Sequence, residues 1–195
     1  LPITFNAPYN GLVTVTLLDP ALTPARELAT FEQTVVVYGN VALVTGTVSM
    51  QGRLTTAGVP VTLTGTLGFG PYTVPSVEGA SGNLTFTDLV VGTYTITTNQ
   101  PRYLNITADM AKVINIATDT DIAALRLRGG NAIWENDNVI DNLDLGKVTL
   151  GYTAGITSHP DADVNFDNRI NIQDLALVGG NYNLTSAGAY GTWQP

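Results

Sequence analysis

The chain has 195 residues with no cysteine, one histidine, 16 acidic and eight basic residues, and a net charge of −8. These counts exclude disulfides and thiolate chemistry, and they disfavour histidine-based zinc sites and Ser-His-Asp catalysis. An acidic chain without a long apolar run is also a poor partner for nucleic acid and is not expected to insert into a membrane. The chain begins at Leu1 without a basic-apolar leader, so we expect a processed N-terminus of an extracellular or cell-surface protein.

The first part of the chain predicts strands. Residues 1–40 read as N-terminal strands around a break in the alternating pattern at Asp19–Ala29. They could add to a following sheet, end a larger domain, or pair with another chain by strand addition. Alternating apolar and threonine residues between turn signals predict half-buried strands. The predicted strands are Val13–Leu17, Thr34–Tyr38, Val41–Ser49, Val59–Thr64, Leu84–Thr87, Thr93–Thr97, Lys112–Ile116 and Ile122–Leu127.

The succession of short strands and turn signals in residues 41–128 predicts an antiparallel, immunoglobulin-like β-sandwich. It contains three glycine-led segments in succession, which are Gly58-Val59-Pro60-Val61, Gly82–Thr87 and Gly92-Thr93-Tyr94. This stretch, about residues 41–127, resembles carboxypeptidase regulatory-like and Cna B-type domains. The resemblance implies a spacer or adhesion module. Some members form a Lys–Asn crosslink, but Lys112 stands late in the chain and is expected to be a solvated strand residue.

Residues 129–195 carry eight acids and two bases, so six of the eight net negative charges lie in this third of the chain. The segment Asp163–Leu175 places oxygen-bearing side chains at positions 1, 3, 5, 9 and 12 of a loop, which is the spacing of a calcium-binding EF-hand loop. Asn168 stands at position 6, where a left-handed backbone is required and asparagine is tolerated. The predicted calcium ligands are Asp163, Asn165, Asp167, the Arg169 carbonyl, Asn171 through water, and Asp174.

The pattern recurs 30 residues earlier, with Asp144 aligned on Asp174 and Tyr152 on Tyr182. In strict register position 1 is Ile133, which has no side-chain oxygen, so Asn131 serves only if two residues bulge out. The predicted ligands of this weaker first loop are Asn131, Glu135, Asp137, the Val139 carbonyl, Asp141 and Asp144.

The doublet resembles a type I dockerin over residues 128–195, whose repeats read D-x-N-x-D-x-x-I-N-x-x-D-L. The resemblance implies two Ca²⁺ ions, a small α-helical module and a cohesin partner bound through the helix after each loop. The matching positions are Gly146-Lys147 and Ala176-Leu177, which lack the polar pairs of many cellulosomal dockerins.

The core available to this module is small, so calcium is expected to supply stability by binding only the folded state. Its predicted core residues are Ile140, Leu143, Leu145, Val148, Leu150, Ile170, Ile172, Leu175, Leu177 and Val178.

Two functions remain open. The first is a non-catalytic, calcium-stabilised structural or adhesive module, of which a self-assembling surface or filament subunit is one form. The second is the dockerin-type anchoring region of a secreted polysaccharide-degrading enzyme, which binds a cohesin. Paired carboxylates of a glycosidase are the weaker interpretation, because the acids cluster where calcium ligands are expected.

Overall fold

A computed structural model describes residues 9–19, 26–37, 40–53, 55–56, 58–66, 70–76, 82–133 and 137–195. The first two strands, β1 (Tyr9–Asp19) and β2 (Arg26–Val37), pair antiparallel from Tyr9 opposite Val37 to Asp19 opposite Arg26. They form a two-stranded sheet of their own. The predicted break is therefore shorter than Asp19–Ala29, and Tyr38 lies outside the described residues.

The remaining seven strands form two sheets that face each other. In the three-stranded sheet, β3 lies between β6, which is antiparallel to it, and β9, which is parallel to it. The four-stranded sheet has the antiparallel order β5-β4-β7-β8. The bounds are β3 Val41–Met50, β4 Pro60–Gly65, β5 Tyr72–Pro75, β6 Gly82–Val90, β7 Gly92–Thr98, β8 Val113–Ile116 and β9 Thr120–Leu127.

The sandwich core follows from the period-two pattern of these strands. Alternate residues of β3 and β7 are buried, while the threonines between them face outward. Tyr94 is buried in this core, and its hydroxyl donates to the Val90 carbonyl at 2.6 Å. Burial raises the pKa of Tyr94 to about 12. The chain is thus mainly β, as the sequence predicts, but the parallel β3–β9 pair departs from the expected antiparallel sandwich.

The C-terminal third contains three short helices, α1 (Asn142–Ala154), α2 (Ile172–Gly180) and α3 (Ser186–Tyr190), and a 3-10 turn at Pro160–Ala162. None of the described helices is both long and apolar enough to cross a lipid bilayer. The buried side of α1 carries Asp144, Val148 and Gly151, which recur at helical spacing. The buried residues of both parts of the chain belong to one continuous hydrophobic cluster.

Polar contacts tie the C-terminal segment to the sandwich. The Tyr190 hydroxyl accepts from the Arg128 backbone N–H at 3.0 Å and donates to the Leu104 carbonyl at 2.8 Å. Lys112 is only 7% exposed, and its Nζ donates to the carbonyls of Gly191 and Trp193 at 2.9 and 2.6 Å. The expectation of a solvated Lys112 is therefore wrong, because the folded-back C-terminus covers this lysine.

Removing the Tyr190 hydroxyl tests how much this attachment contributes. Tyr190→Phe leaves a buried N–H and a buried carbonyl without their partner, which should lower the free energy of unfolding by about 2 kcal/mol. Urea denaturation monitored by circular dichroism measures the change. The control is Tyr152→Phe, whose hydroxyl belongs to an exposed residue and should change stability by less than about 0.5 kcal/mol. Equal effects of the two substitutions would contradict the attachment.

Candidate calcium loops and helical face

The second loop is a tight, hydrogen-bonded turn around the Asp163 carboxylate. The two oxygens of Asp163 accept from the backbone N–H groups of Asp167 and Asn168, each at 3.1 Å. Asn165 Oδ1 accepts from the same Asp167 N–H at 3.0 Å. Asn168 adopts φ +64°, which is the left-handed conformation that the sequence predicts at position 6. The loop thus gathers oxygens from positions 1, 3 and 5.

Positions 9 and 12 close this loop by capping α2. The Asn171 side chain accepts from the Gln173 N–H, and Asp174 Oδ2 accepts from the Asn171 N–H, so the two residues form a capping box. Asp174 Oδ1 also accepts from Val164 and Asn165 at 2.9 and 3.3 Å. Asp174 is therefore held from both ends of the loop. The Arg169 N–H donates to Asp167 Oδ1 at 2.8 Å, which fixes the turn at position 7.

The first loop repeats this closure at the start of α1. Asp141 accepts from the Leu143 N–H, and Asp144 Oδ2 accepts from the Asp141 N–H. Asp144 Oδ1 accepts from Ile133, 11 residues earlier, whereas Asp174 accepts from residues 10 and 9 positions earlier. The first loop is therefore one or two residues longer before its capping residue than the second. An insertion of this kind is what Asn131 needs to serve as its first ligand.

Asn131 has the environment expected of such a ligand. It is fully buried, and its Nδ2 donates to the Asp137 carbonyl at 3.0 Å. Among the described residues, its buried Oδ1 has no hydrogen-bond partner. A buried acceptor without a donor is costly unless a cation or another donor meets it, so this oxygen fits a calcium ligand.

The remaining predicted ligands of the first loop are placed as follows. Asp137 Oδ1 accepts from the Val139 N–H at 3.2 Å. Val139 also forms a β-bridge with Thr185, the residue that caps α3. Glu135 lies outside the described residues.

Burial shapes the electrostatics of both loops. It raises the pKa values of Asp144, Asp163 and Asp174 above that of a free carboxyl, and backbone hydrogen bonds to each carboxylate oppose the shift. Within the described part of the chain, no three His, Cys, Asp or Glu side chains are placed to hold a metal by themselves. A calcium ion here would therefore need amide and backbone carbonyl oxygens as well as carboxylates, a mixed oxygen set that suits this hard cation.

Sequence reasoning missed the residues of the sandwich that contact the second loop. The Phe166 ring, at position 4, lies under two guanidinium groups, with Arg53 Cζ 4.4 Å and Arg102 Cζ 4.1 Å from its centroid. Arg102 also donates from Nη1 to the Asp163 carbonyl at 2.6 Å. Both arginines are distant in sequence from the loop, so no local spacing signals these contacts.

The helices expose apolar residues that the sequence assigns to the core. Leu143, Leu145, Leu150 and Ile172 are all exposed, with Leu150 at 58% and Ile172 at 70%. Their assignment to the core is wrong because the buried side of α1 is taken by Asp144, Val148 and Gly151, and that of α2 by Asp174, Leu177 and Val178. Residues related by the 30-residue repeat do not always share the same exposure. Tyr152 and Tyr182 are both exposed, whereas Leu145 is exposed and Leu175 is partly buried.

Known proteins resemble this chain in structure. Neither a scan against models of protein families nor a search of curated proteins finds a match. A chain of a C-terminal interface mutant of a type II cohesin–X-dockerin complex from Acetivibrio cellulolyticus is 17% identical, with a TM-score of 0.58. A chain of the N-terminal interface mutant of that complex is also 17% identical, with a TM-score of 0.57. Each alignment covers 75% of this chain and 98% of that chain.

The likeness establishes a shared β-sandwich fold and reaches beyond the sandwich. Three quarters of 195 residues is about 146 residues, which is more than residues 1–128 contain. The alignment therefore includes part of the C-terminal segment that holds the loops and helices.

The raised carboxyl pKa values predict an unusual pH dependence for the calcium-free protein. A carboxyl whose pKa is higher in the folded state than in the unfolded state gains stability as the pH falls through the folded-state pKa. In EDTA, the melting temperature should therefore rise as the pH is lowered from 7 towards the folded-state pKa values of Asp144, Asp163 and Asp174.

Saturating Ca²⁺ should reverse this slope, because the ion binds the ionised carboxylates and protons compete with it. Differential scanning fluorimetry at several pH values, with EDTA or Ca²⁺, measures both slopes. Asp163→Asn should flatten the slope in EDTA and reduce the stabilisation by Ca²⁺. Identical melting temperatures with and without Ca²⁺ at pH 7 would contradict calcium binding at this site.

Proposed function

We propose that the protein is a non-catalytic, extracellular interaction module whose residues 129–195 act as a calcium-stabilised, dockerin-like unit that binds a cohesin-type partner. The observation that carries the proposal is the exposure of large apolar side chains on α1 and α2. We call Leu143 and Leu150 on α1, together with Ile172 on α2, the helical face. At about 3.6 residues per turn, Leu145 and Tyr152 lie on the opposite flank of α1.

Calcium supports this function by fixing the helices that present the helical face. The second loop would hold one ion through Asp163, Asn165, Asp167, the Arg169 carbonyl and Asp174, with Asn171 acting through water. The first would hold another through Asn131, Asp137 and Asp144. When bound, Ca²⁺ neutralises the carboxylates and cross-links each loop. Because Asp144 and Asp174 also complete the capping boxes of α1 and α2, fixing them fixes the starts of both helices.

The helical face has the chemistry of a protein-binding surface. Leu143 and Leu150 stand seven residues apart on one flank of α1, and Ile172 begins α2. Large apolar anchors on a rigid element contribute most of the affinity in protein interfaces. The similar solved chains come from cohesin–X-dockerin complexes, which supports a protein partner in general. We propose a cohesin-type partner because residues 163–175 and their earlier repeat follow the spacing of dockerin loops.

Binding of the full chain to an immobilised type II cohesin in Ca²⁺ tests the proposal by surface plasmon resonance. Leu150→Ala and Ile172→Ala should each weaken binding about tenfold, as expected for anchor residues that contribute more than about 1 kcal/mol. Val41→Ala is the matched control, because Val41 is an exposed apolar residue of the sandwich at 53%, and it should leave binding unchanged.

The partner class is tested in the same experiment. Capture of a dockerin in place of a cohesin would assign the opposite role to this chain and overturn the proposal. Failure to bind either partner in Ca²⁺ would also overturn it and favour the second candidate function.

That second candidate is self-assembly through the β1–β2 hairpin. Both of its faces are exposed at its centre, since Val15 lies on one face and Thr14 and Thr16 lie on the other. An isolated two-stranded hairpin is marginal in water, and open strand edges template pairing with other chains. Strand addition between copies would therefore stabilise it.

Self-assembly predicts large, concentration-dependent particles of the full chain in light scattering and filaments in electron micrographs. Deletion of residues 1–39 should return the protein to a monomer while leaving the calcium-dependent rise in melting temperature intact. A full chain that stays monomeric at high concentration, with and without Ca²⁺, would exclude this candidate.

A further inference from the structure

Arg102 is a residue of the sandwich that contacts the starts of both candidate loops. It follows β7 and adopts φ +65°, a left-handed conformation that a non-glycine residue rarely takes. Its carbonyl oxygen accepts from the backbone N–H groups of Gly130 and Asn131, both at 3.1 Å. The backbone of Arg102 thus holds the residue that would be the first ligand of the first loop.

The side chain of Arg102 reaches the second loop. Its Nη1 donates to the Asp163 carbonyl at 2.6 Å, and its guanidinium lies over the Phe166 ring. Its Nη2 lies 3.6 Å from Asp161 Oδ1, and the same Asp161 carboxylate is 3.9 Å from Lys147 Nζ on α1. The Arg102 side chain is only 14% exposed, whereas Asp161 is 44% exposed, so the contacts to the Asp163 carbonyl and the Phe166 ring are less screened by water than the ion pair.

We propose that Arg102 is a positioning residue that couples the two calcium loops, so that an ion bound in one loop raises the affinity of the other. The proposal rests on the calcium sites of the proposed function. Its basis is that Asn131 and Asp163, the first ligand residues of the two loops, are held by the carbonyl and the guanidinium of one residue.

The coupling has a simple physical origin. Calcium bound in either loop fixes its first ligand residue and thereby restricts Arg102. The second ion then meets a loop whose anchoring residue is already ordered, and it loses less conformational entropy on binding. The effect is reciprocal by thermodynamic linkage.

Arg53 provides a matched control within the same contact. Its guanidinium also lies over the Phe166 ring, but its Nη1 donates to the Met50 sulfur at 3.6 Å, within the sandwich. Arg53→Ala removes a cation–π contact of the same kind and leaves the contact to Asp163 intact. A coupling defect confined to Arg102 variants therefore reports the link between the loops.

Arg102→Gly is the best test variant, because glycine accepts the left-handed backbone and keeps the carbonyl that Asn131 uses. Only the link to the second loop is lost. Arg102→Lys keeps the charge but not the planar fork of donors, and it should restore the coupling only in part. Circular dichroism in EDTA confirms that each variant remains folded.

The experiment is a calorimetric titration of the full chain with CaCl₂. In the wild-type background, blocking the first loop with Asn131→Ala should weaken the second site by about fivefold or more, the scale of ordinary coupling. In the Arg102→Gly background, Asn131→Ala should leave the second site unchanged. The reciprocal comparison uses Asp163→Ala and the affinity of the first loop.

The outcomes separate the two proposals. The wild-type chain could bind two ions while Asn131→Ala changes the affinity of the second site equally in both backgrounds. That result would overturn the coupling but keep the calcium sites. The same loss of coupling in Arg53→Ala would also overturn the role of Arg102. A wild-type chain that binds no Ca²⁺ would overturn the calcium sites and the coupling together.

Discussion

Two buried carboxylates, Asp144 and Asp174, determine how the C-terminal part of the chain folds. Each caps a helix and accepts backbone N–H groups from the preceding loop, so it ties the start of the loop to its end. Among the described residues neither carboxylate forms an ion pair, and burial raises both pKa values. A buried charge of this kind needs compensation, which backbone donors supply in part and a cation would complete.

The short helices that follow the loops divide their apolar residues between a buried stripe and the solvent. Helices as short as α1 and α2 cannot bury a core of their own, so each turns a narrow buried stripe inward: Gly151 packs against Ala162, and Val148, Leu177 and Val178 join the continuous core. Leucines beside the stripe stay exposed. The exposed helical face is thus a consequence of how narrow the buried stripes are.

The sequence predicted the second loop more completely than the first. Its oxygen-bearing residues follow a fixed spacing, and the left-handed Asn168 occurs where that spacing places it. The ligand set of the first loop stayed open between Ile133 and Asn131, because spacing cannot show where extra residues bulge. Burial of Asn131 with an unpartnered oxygen favours Asn131 on grounds that only coordinates provide. Both calcium assignments stay predictions.

The sequence by itself indicated most of the strands and the two loops, because apolar alternation along a strand and oxygen spacing along a loop are local patterns. Strand β5 and the part of β2 before Thr34 were not among the predicted strands. The tertiary structure decided which residues are buried. Lys112 lies under the C-terminal segment, Leu150 lies in solvent, and Arg102 reaches from the sandwich to both loops. Burial and long-range contacts depend on segments far apart in the chain, so no local pattern specifies them.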